Sequence, residues 1–379
     1  MGPGRCSRAR SSPDRTADCA GRRTVQPLSG LVAVRAVDLR DANERARIDA
    51  FVRAHPEATP FHLTAWSLGV AKGCGQTSHT LVAERADGSP AGFVPLTEVS
   101  SPLFGRALVS NGFAIGGGIL AESAAATTAL GDAAWALAQR LKCPTLELRG
   151  GPLPGNAWHV DTDTYLGFTR PLADSDEAEL LAIPRKQRAE VRKALDADLA
   201  ITVGHGRDDL KAHYAVYAES VHNLGTPVFP AALFRAVLQE FGESADILTV
   251  RHDGRAVASV LSLYFNGTVY PYWGGGTHAA RGLRANDRMY FALMAHARAK
   301  GCTRFDFGRS KAGTGPAAFK KNWGFEGVPL SYGKRAAPGE AVREINPLDP
   351  RYARKVELWK TLPLWIANRV GPHISRGLG

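Results

Sequence analysis

Cysteine is scarce in this sequence, and the few cysteines form no pattern that would bind a metal. Cys6, Cys19, Cys74, Cys143 and Cys302 include no CxxC pair and have no metal-ligand spacing with histidine. An odd number of widely spaced cysteines predicts unpaired thiols in a reducing compartment. We therefore expect neither a disulfide framework nor a metal centre.

Long apolar runs are absent as well. No window reaches the roughly 18 to 20 uninterrupted apolar residues that a membrane-spanning helix needs. Residues 1–27 are rich in arginine but lack the apolar centre of a secretory signal, which predicts a disordered basic leader or a misassigned start. HExxH, GxSxG and the Rossmann fingerprint are also missing, which excludes the commonest metalloproteases, hydrolases and dehydrogenases. We predict a cytoplasmic protein.

What is present is enough apolar sequence for two domains and an excess of positive charge. The chain has 379 residues, of which 44% are hydrophobic, and single cores rarely grow past roughly 250 to 300 residues. The net charge of +11 predicts an anionic partner: a nucleic acid, a phosphorylated substrate or a membrane surface. Charge alone does not choose among them.

An internal duplication organises the chain. LVAERADGSPAGFVPLTEV from residue 81 and LTVRHDGRAVASVLSLYF from residue 248 both predict a hairpin with Asp-Gly at the turn. Each is followed by a strand that ends in three glycines, a long helical pattern, and a Cys-containing turn before another strand. The glycine triplets begin 158 positions apart, at Gly116 and Gly274, and Cys143 and Cys302 are 159 apart. The register is therefore kept across the whole unit.

A hairpin, a third strand, a helix and a further strand resemble the central part of the GNAT acyltransferase fold. We therefore predict an α+β protein of two tandem GNAT-like lobes with mixed, mainly antiparallel sheets. The chain is predicted to consist of a leader (1–27), a first GNAT-like domain (28–173), a basic helical connector (174–199), a second GNAT-like domain (200–340) and an amphipathic tail (341–379).

Three segments point to a narrower family. They are IPRKQRAEVRKAL at 183–195, AESVHNLGTPVFPAALF at 218–234 and the stretch from WGGGTHAARGL to FKKNWGF at 273–325. Together they resemble the FemAB family, and specifically the FemAB-like proteins associated with exosortase (PEP-CTERM) exopolysaccharide systems. The resemblance covers about 60–370.

The resemblance implies a metal-free transferase. It would move an aminoacyl group, from aminoacyl-tRNA, to an amino group of a cell-envelope or exopolysaccharide precursor, with no bound cofactor. CoA-dependent N-acylation of an amino sugar by the same fold, with acyl-CoA as donor, remains an alternative. The third interpretation is a non-catalytic protein that binds a nucleotide- or lipid-linked precursor. A lysine and an aspartate near the end of the second lobe argue against it.

The resemblance also assigns the catalytic lysine. FemAB proteins have a Phe-Lys pair followed shortly by an aromatic-Gly pair, and Phe319-Lys320 with Trp323-Gly324 matches this pattern. Lys320 would stabilise the oxyanion of the tetrahedral intermediate, with Lys321 as a neighbour that could substitute or bind phosphate. Two solvated lysines on a short helix is the other interpretation. We expect replacement of Lys320 to leave folding nearly unchanged.

The preceding strand supplies the second catalytic candidate. Phe305 and Phe307 alternate with Asp306, so on a strand the aromatic rings share one face and Asp306 points to the other. As a cleft carboxylate it could deprotonate the attacking amine. Arg309 and Lys311 either pair with it or bind the anionic substrate, and these alternatives stay open.

Weaker candidates lie outside this strand. Arg188 and Arg192 stack on one face of a predicted helix, which fits a diphosphate, an RNA backbone or a solvated surface. Tyr272 is a candidate for the cleft. Asn286 follows a loop in which Arg284 replaces an expected glycine of the CoA-binding pattern, and it is either a helix cap or a site residue.

The tail is amphipathic. Leu358, Trp359 and Trp365 are mixed with Lys355 and Arg369, and Pro363 interrupts the pattern. Peripheral contact with the inner membrane and docking against the second lobe both explain this composition.

Overall fold

A computed structural model describes residues 1–2, 32–341 and 350–379, and residues 32–379 belong to one compact unit. The predicted leader 1–27 lies outside the described residues apart from its first two. The chain forms two β-sheets, each with helices, which correspond to the two predicted lobes.

The first sheet has seven strands in one path and a short eighth strand, β5 (Leu120–Ala121), paired with β3. The strands of the path, in spatial order, are β1 (Ala33–Val37), β2 (Thr77–Glu84), β3 (Pro90–Ser101), β4 (Gly105–Ser110), β6 (Thr145–Arg149), β15 (Tyr332–Ala336) and β7 (His159–Asp161).

The second sheet repeats this arrangement. Its strands, in the corresponding order, are β9 (Ala200–Gly204), β10 (Ala245–His252), β11 (Arg255–Phe265), β12 (Thr268–Gly276), β13 (Arg304–Lys311), β8 (Tyr165–Pro171) and β14 (Gly327–Pro329). In each sheet the fourth and fifth strands are parallel, and all other neighbours are antiparallel. The prediction of mixed, mainly antiparallel sheets is therefore confirmed.

The helices follow the same repeat. Two helices separate the first two strands of each sheet, and one long helix connects the parallel pair. The helices of the first lobe are α1 (Ala42–Ala54), α2 (Thr64–Cys74) and α3 (Ala124–Arg140); those of the second lobe are α6 (Arg207–Asn223), α7 (Ala231–Phe241), α8 (Ala280–Leu283), α9 (Ala285–Ala299) and α10 (Gly315–Asn322). The predicted connector forms α4 (Asp176–Ala182) and α5 (Arg185–Leu195), and the tail forms α11 (Pro350–Thr361) and α12 (Leu364–Ser375).

Local sequence explains the hairpins. At the turn between β10 and β11, Asp253 and Gly254 both have positive φ, 48° and 74°. Two consecutive positive φ values define the type I′ turn, whose twist matches that of antiparallel strands and which favours Asp-Gly. The Asp-Gly signal in the sequence therefore predicted a real feature of the backbone.

The two sheets exchange their sixth strands. β8 precedes the predicted boundary at residue 173, yet it pairs with β13 of the second sheet. β15 lies inside the predicted second domain, yet it pairs with β6 and β7 of the first sheet. Each lobe therefore needs a strand from the other half of the chain, and the linear boundaries at 173 and 340 do not follow sheet membership.

The lobes pack tightly through α2 and α7. A Cβ atom on Gly73 would lie 2.3 Å from the Cα of Leu233, and one on Gly69 would lie 2.9 Å from a side-chain carbon of Val237. Glycines four residues apart share one helix face, so α7 approaches the bare backbone of α2. Beside this contact, Trp66 stacks on Trp273 at 5.6 Å between ring centroids. One core therefore joins the two lobes.

Candidate active site between the lobes

The site begins where two parallel strands separate. β12 and β13 pair only at Thr268 with Arg304 and at Val269 with Phe305, after which they diverge. The register of β13 against β8 shifts between Asp306 and Arg309, and Gly308 within this bulge has a φ of 67°. Glycine adopts positive φ without steric cost, so it allows the bulge that turns the strand at this point.

A pocket of about 690 Å³ lies against this bulge and has walls from both lobes. The second sheet contributes Tyr270, Asp306, Gly308 and Arg309, with Gly167 and Thr169 of the exchanged strand β8. The opposite wall is built largely of first-lobe residues, including His62, Gly116, Gly117, Gly118, Arg149 and Gly150, and of Tyr332 on β15. Both exchanged strands therefore contribute to the pocket.

Asp306 presents a carboxyl group to this pocket. Phe305 and Phe307 are buried in the second-lobe core, so Asp306 points to the opposite face as the alternation predicted. The backbone N–H of Gly308 donates to Oδ1 at 2.8 Å. Burial raises the pKa of Asp306, although the Gly308 hydrogen bond and the charge of Lys320 act in the opposite direction. Among the residues that the structure describes, no cation lies within salt-bridge distance of Asp306.

Lys320 lies behind the bulge, and its surroundings differ from our expectation. Its side chain is only 9% exposed, so the interpretation as a solvated lysine is wrong. Nζ donates to the carbonyl oxygens of Gly308 at 3.2 Å and Arg309 at 2.9 Å. Burial lowers the pKa of Lys320 to about 8, against the opposing influence of Asp306. An ammonium group has three N–H donors, so one remains beyond the two carbonyl contacts.

Arg309 places a cation on the pocket wall. Its Nη1 donates to the Tyr332 hydroxyl at 2.9 Å, and its guanidinium lies 4.4 Å from the ring centroid of Tyr165. The Tyr332 hydroxyl donates in turn to the carbonyl of Ile115 at 2.6 Å. Within the described part of the chain, no carboxylate lies within salt-bridge distance of Arg309. Lys311 follows on the same strand, with Nζ 5.8 Å from the Tyr165 ring.

The first-lobe wall is mostly backbone. A Cβ on Gly118 would lie 1.8 Å from the carbonyl oxygen of Gly150, so this close approach requires glycine. His62 hydrogen bonds through Nε2 to the Gly118 carbonyl at 3.2 Å, and burial lowers its pKa to about 4. His62 is therefore neutral at pH 7 and holds the loop. Arg149 also supports the loop, because Nη1 donates to the carbonyl of Ala114 at 2.8 Å.

Lys311 and Lys320 are not among the residues that line the pocket, and the remaining predicted residues also lie outside it. Arg188 donates to the carbonyls of Leu181 and Ile183 at the end of α4, and Arg192 is exposed. Their predicted contact with the cleft is therefore not seen, and phosphate binding stays a prediction. Lys321 is exposed on α10.

Tyr272 and Asn286 are also outside the pocket. Tyr272 donates to the carbonyl of Phe113 at 2.5 Å within the aromatic cluster that joins the lobes. Burial raises the pKa of this phenol. Asn286 lies in the first turn of α9, and its buried Oδ1 has neither a capping contact nor another hydrogen-bond partner among the described residues.

The N-terminus of α9 is where a GNAT enzyme would receive the pyrophosphate of CoA. Here Arg284 has a φ of 54°, and its Nε pairs with Glu190 at 2.5 Å. Contacts with Lys193 and Arg284 hold the pKa of Glu190 at about 2. Asp287 accepts a hydrogen bond from Gln187 at 2.6 Å, and burial raises its pKa to about 6. Arg284 is therefore paired with a carboxylate, and Asp287 places a second carboxyl group at the helix end where the pyrophosphate would lie.

Sequence reasoning missed several pocket residues. Tyr270 is a buried core residue that also lines the pocket with Asp306. Thr169 and Tyr332 reach the pocket only through the strand exchange. Arg149 gave no motif signal, although its position six residues after Cys143 matches that of Gly308 after Cys302. The internal repeat could therefore have identified it.

Comparison with known proteins defines the class first. Residues 185–321 match the acetyltransferase (GNAT) domain family, a range that contains Asp306, Arg309 and Lys320. The matched range supports an acyltransferase, and the predicted fold class of two tandem GNAT-like lobes is confirmed. A search among curated proteins finds no match.

Solved structures then specify the two-lobed arrangement. FemX is 16% identical with a TM-score of 0.64, over 79% of this chain and 96% of that chain. A tandem GNAT protein from the clavulanic acid biosynthesis pathway, determined without AcCoA, is 15% identical with a TM-score of 0.53, over 83% and 100%. A C-terminal domain assigned to a lysylphosphatidylglycerol synthetase from Agrobacterium fabrum is 14% identical with a TM-score of 0.52, over 78% and 93%. At these identities the likeness shows the fold alone.

Proposed function

We propose that this protein is a FemAB-like transferase. It moves an aminoacyl group, supplied by aminoacyl-tRNA in the cytoplasm, to an amino group of a cell-envelope or exopolysaccharide precursor. The observation that carries the proposal is the position of Asp306: a carboxyl group on the pocket wall, where β12 and β13 diverge, without a paired cation among the described residues and with a raised pKa. The exosortase association rests on the sequence resemblance.

The chemistry needs a base at this point. The amine nitrogen of the acceptor attacks the ester carbonyl of the donor, so that a C–N bond forms and the C–O bond to the ribose breaks. Asp306 accepts the proton that the amine loses and returns it to the leaving ribose oxygen. A carboxylate whose pKa is raised toward neutrality is better matched to this transfer than an ordinary aspartate.

Lys320 supports the reaction from behind the strand. Its bonds to the carbonyls of Gly308 and Arg309 hold the bulge that presents Asp306. Its charge lowers the pKa of Asp306, which favours the carboxylate form that acts as a base. Lys320 is not among the residues that line the pocket, and the oxyanion contact that the resemblance implies stays a prediction.

Arg309 selects an acceptor with an anionic group. A guanidinium on the wall of a pocket, stacked on Tyr165 and held by Tyr332, is pre-organised for a carboxylate or phosphate. The net charge of +11 favours the same class of acceptor. Lys311 and the exposed Arg192 remain candidates for further contacts with the precursor or with tRNA.

The α9 terminus supports aminoacyl-tRNA over acyl-CoA as the donor. Arg284 replaces a glycine of the phosphate-binding loop, and its charge is neutralised by Glu190. The GNAT domain match nevertheless makes CoA-dependent N-acylation the second candidate.

The test compares both donors in one format. The purified protein is incubated with ¹⁴C-aminoacyl-tRNA or ¹⁴C-acetyl-CoA and with either a UDP-linked muropeptide precursor or a UDP-amino sugar. We expect label to move from the tRNA ester to the acceptor amine, and Asp306→Asn to abolish this transfer. The control is Glu326→Gln, at an exposed carboxylate that does not line the pocket.

The outcomes separate the candidates. Transfer from acetyl-CoA alone would favour N-acylation, whereas full activity of Asp306→Asn would refute the assigned base. Binding of the precursor without transfer from either donor would support the non-catalytic interpretation.

A further inference from the structure

A second pocket lies outside the active site, at the C-terminal helices. It has a volume of about 320 Å³, and its walls come from the β3–β4 hairpin, the loop after α6, and helices α11 and α12. Leu103, Phe104, Pro227, Val356, Trp359 and Ile374 make most of this wall apolar. Such a lining is typical of a site for an apolar ligand.

The helices that form this pocket are anchored to the body of the protein. His222 hydrogen bonds to the carbonyl of Trp359 at 3.1 Å, and the hydroxyl of Ser375 donates to the carbonyl of Val228 at 2.8 Å. Gln76 of the first lobe donates to the carbonyl of Arg376 at 2.7 Å. The tail therefore docks against both lobes, and its outer surface has a fixed position.

Large apolar side chains on these elements face solvent. Leu103 is 66% exposed, Leu358 67% and Trp365 70%, and Leu224, next to the pocket residue Gly225, is 62% exposed. An apolar pocket on elements that also carry exposed large apolar side chains marks an interaction surface for an apolar partner. Among the described residues, no helix is long and apolar enough to cross a bilayer, so these groups would contact a membrane only from one side.

Charge identifies the partner. Residues 350–379 contain six arginines and lysines and a single acidic residue, Glu357. Arg354 and Arg369 are exposed, and Lys355 lines the pocket. Tryptophan and leucine interspersed with cations match the interface of an anionic bilayer, where the rings and alkyl groups enter the headgroup region and the cations meet lipid phosphates.

From this combination we infer that the C-terminal pocket binds an alkyl chain of an anionic membrane lipid, and that helices α11 and α12 dock the protein on the bilayer surface. The inference is independent of the acyl-transfer proposal. It concerns a surface that shares no residue with the walls of the active-site pocket.

Vesicle co-sedimentation tests the surface. The full chain is mixed with vesicles of phosphatidylcholine alone or with phosphatidylglycerol, at low and high salt. We expect salt-sensitive binding to the anionic vesicles only. Leu358→Glu should weaken it by roughly tenfold, as expected for one large apolar side chain. Arg354→Glu combined with Arg369→Glu should weaken it by about 25-fold or more.

Matched controls exclude general effects of the substitutions. Leu181 on α4 is 63% exposed, and Arg185 on α5 is exposed. Leu181→Glu and Arg185→Glu should bind vesicles like the parent. Equal losses in these controls, or equal binding of the parent to neutral and anionic vesicles, would overturn the inference.

Fluorescence tests the pocket itself. Phosphatidylglycerol with brominated acyl chains should quench tryptophan emission of the bound protein, and Trp359→Phe should remove part of this quenching because Trp359 lines the pocket. Unchanged quenching in Trp359→Phe would overturn the pocket assignment. A stable dimer in light scattering that dissociates in Leu358→Glu, without vesicle binding, would assign the surface to a second copy of the chain instead.

Discussion

The burial of Lys320 makes a prediction about stability that needs no substrate. Lys320 is 9% exposed, and burial lowers the pKa of its ammonium group from 10.5 to about 8. Keeping this group charged at pH 7 therefore costs folding free energy. We propose to measure that cost by replacing Lys320 with methionine, which keeps most of the side-chain volume and cannot ionise.

The sign follows from proton linkage. Because the folded-state pKa is lowered, the unfolded chain binds more protons between about pH 8 and 10.5, and stability rises with pH in that interval. Below pH 8 both states carry the proton, and the full penalty of about 3 kcal/mol is present. Between pH 7 and pH 9.5 the parent should gain about 2 kcal/mol relative to Lys320→Met.

The pH dependence is more informative than the absolute stability. Methionine also leaves the carbonyls of Gly308 and Arg309 without their donor, a cost on the order of 1 to 3 kcal/mol each that does not vary with pH. Urea unfolding of both proteins at several pH values separates the two contributions. Lys321→Met, on the exposed neighbour, is the control. A difference between parent and Lys320→Met that stays constant from pH 7 to 9.5 would refute the burial of a titrating ammonium.

Three further perturbations test the site and the interface. Because burial raises the pKa of Asp306, kcat should fall on the acid side at a pH above the ordinary pKa of an aspartate. In Asp306→Asn this fall should vanish, and any residual activity should be independent of pH in that range. Arg309→Lys should raise KM for an anionic acceptor more than it lowers kcat, since lysine keeps the charge but loses the stacking on Tyr165; an unchanged KM would exclude Arg309 from acceptor binding. Gly73→Ala should lower stability by roughly 1 to 3 kcal/mol in thermal or urea unfolding, because its Cβ would lie 2.3 Å from a backbone atom. Gly282→Ala on α8, where no described atom lies within 4 Å of the added Cβ, should be neutral or slightly stabilising.

The sequence predicted the fold because the decisive signals were local. Asp-Gly turns, glycine triplets and helical patterns recur at a constant offset, and each is specified by neighbouring residues. The strand exchange had no such signal. β15 and β6 are far apart in the chain, and the partner of an isolated five-residue strand depends on which sheet edge is open when the chain folds.

The site was predictable where one strand determined the direction of a side chain. Alternation with two phenylalanines was sufficient to place Asp306 on the face opposite their rings, and the structure shows that this face lines the pocket. Helical spacing was not sufficient for Arg188, because its long side chain folds back to the last carbonyls of α4, which need donors at a helix end. Nor could spacing show that Lys320 on α10 is buried, since this burial depends on the packing of α10 against β13.

The repeat also explains why we place the proposed chemistry on the second copy. Four residues after the equivalent cysteines stand Glu147 and Asp306, and six residues after them stand Arg149 and Gly308. In the first copy Arg149 pairs with Glu147 at 2.8 Å. Burial by itself would raise the pKa of Glu147, but the nearby positive charge of Arg149 lowers it, and the net pKa is lowered. In the second copy a glycine at the same place has no side chain to form that pair, and it turns the strand so that its own N–H meets Asp306. The same two positions of the repeat therefore differ in role. In the first lobe they form an ion pair that supports the pocket wall, and in the second lobe they give a carboxyl group with a raised pKa.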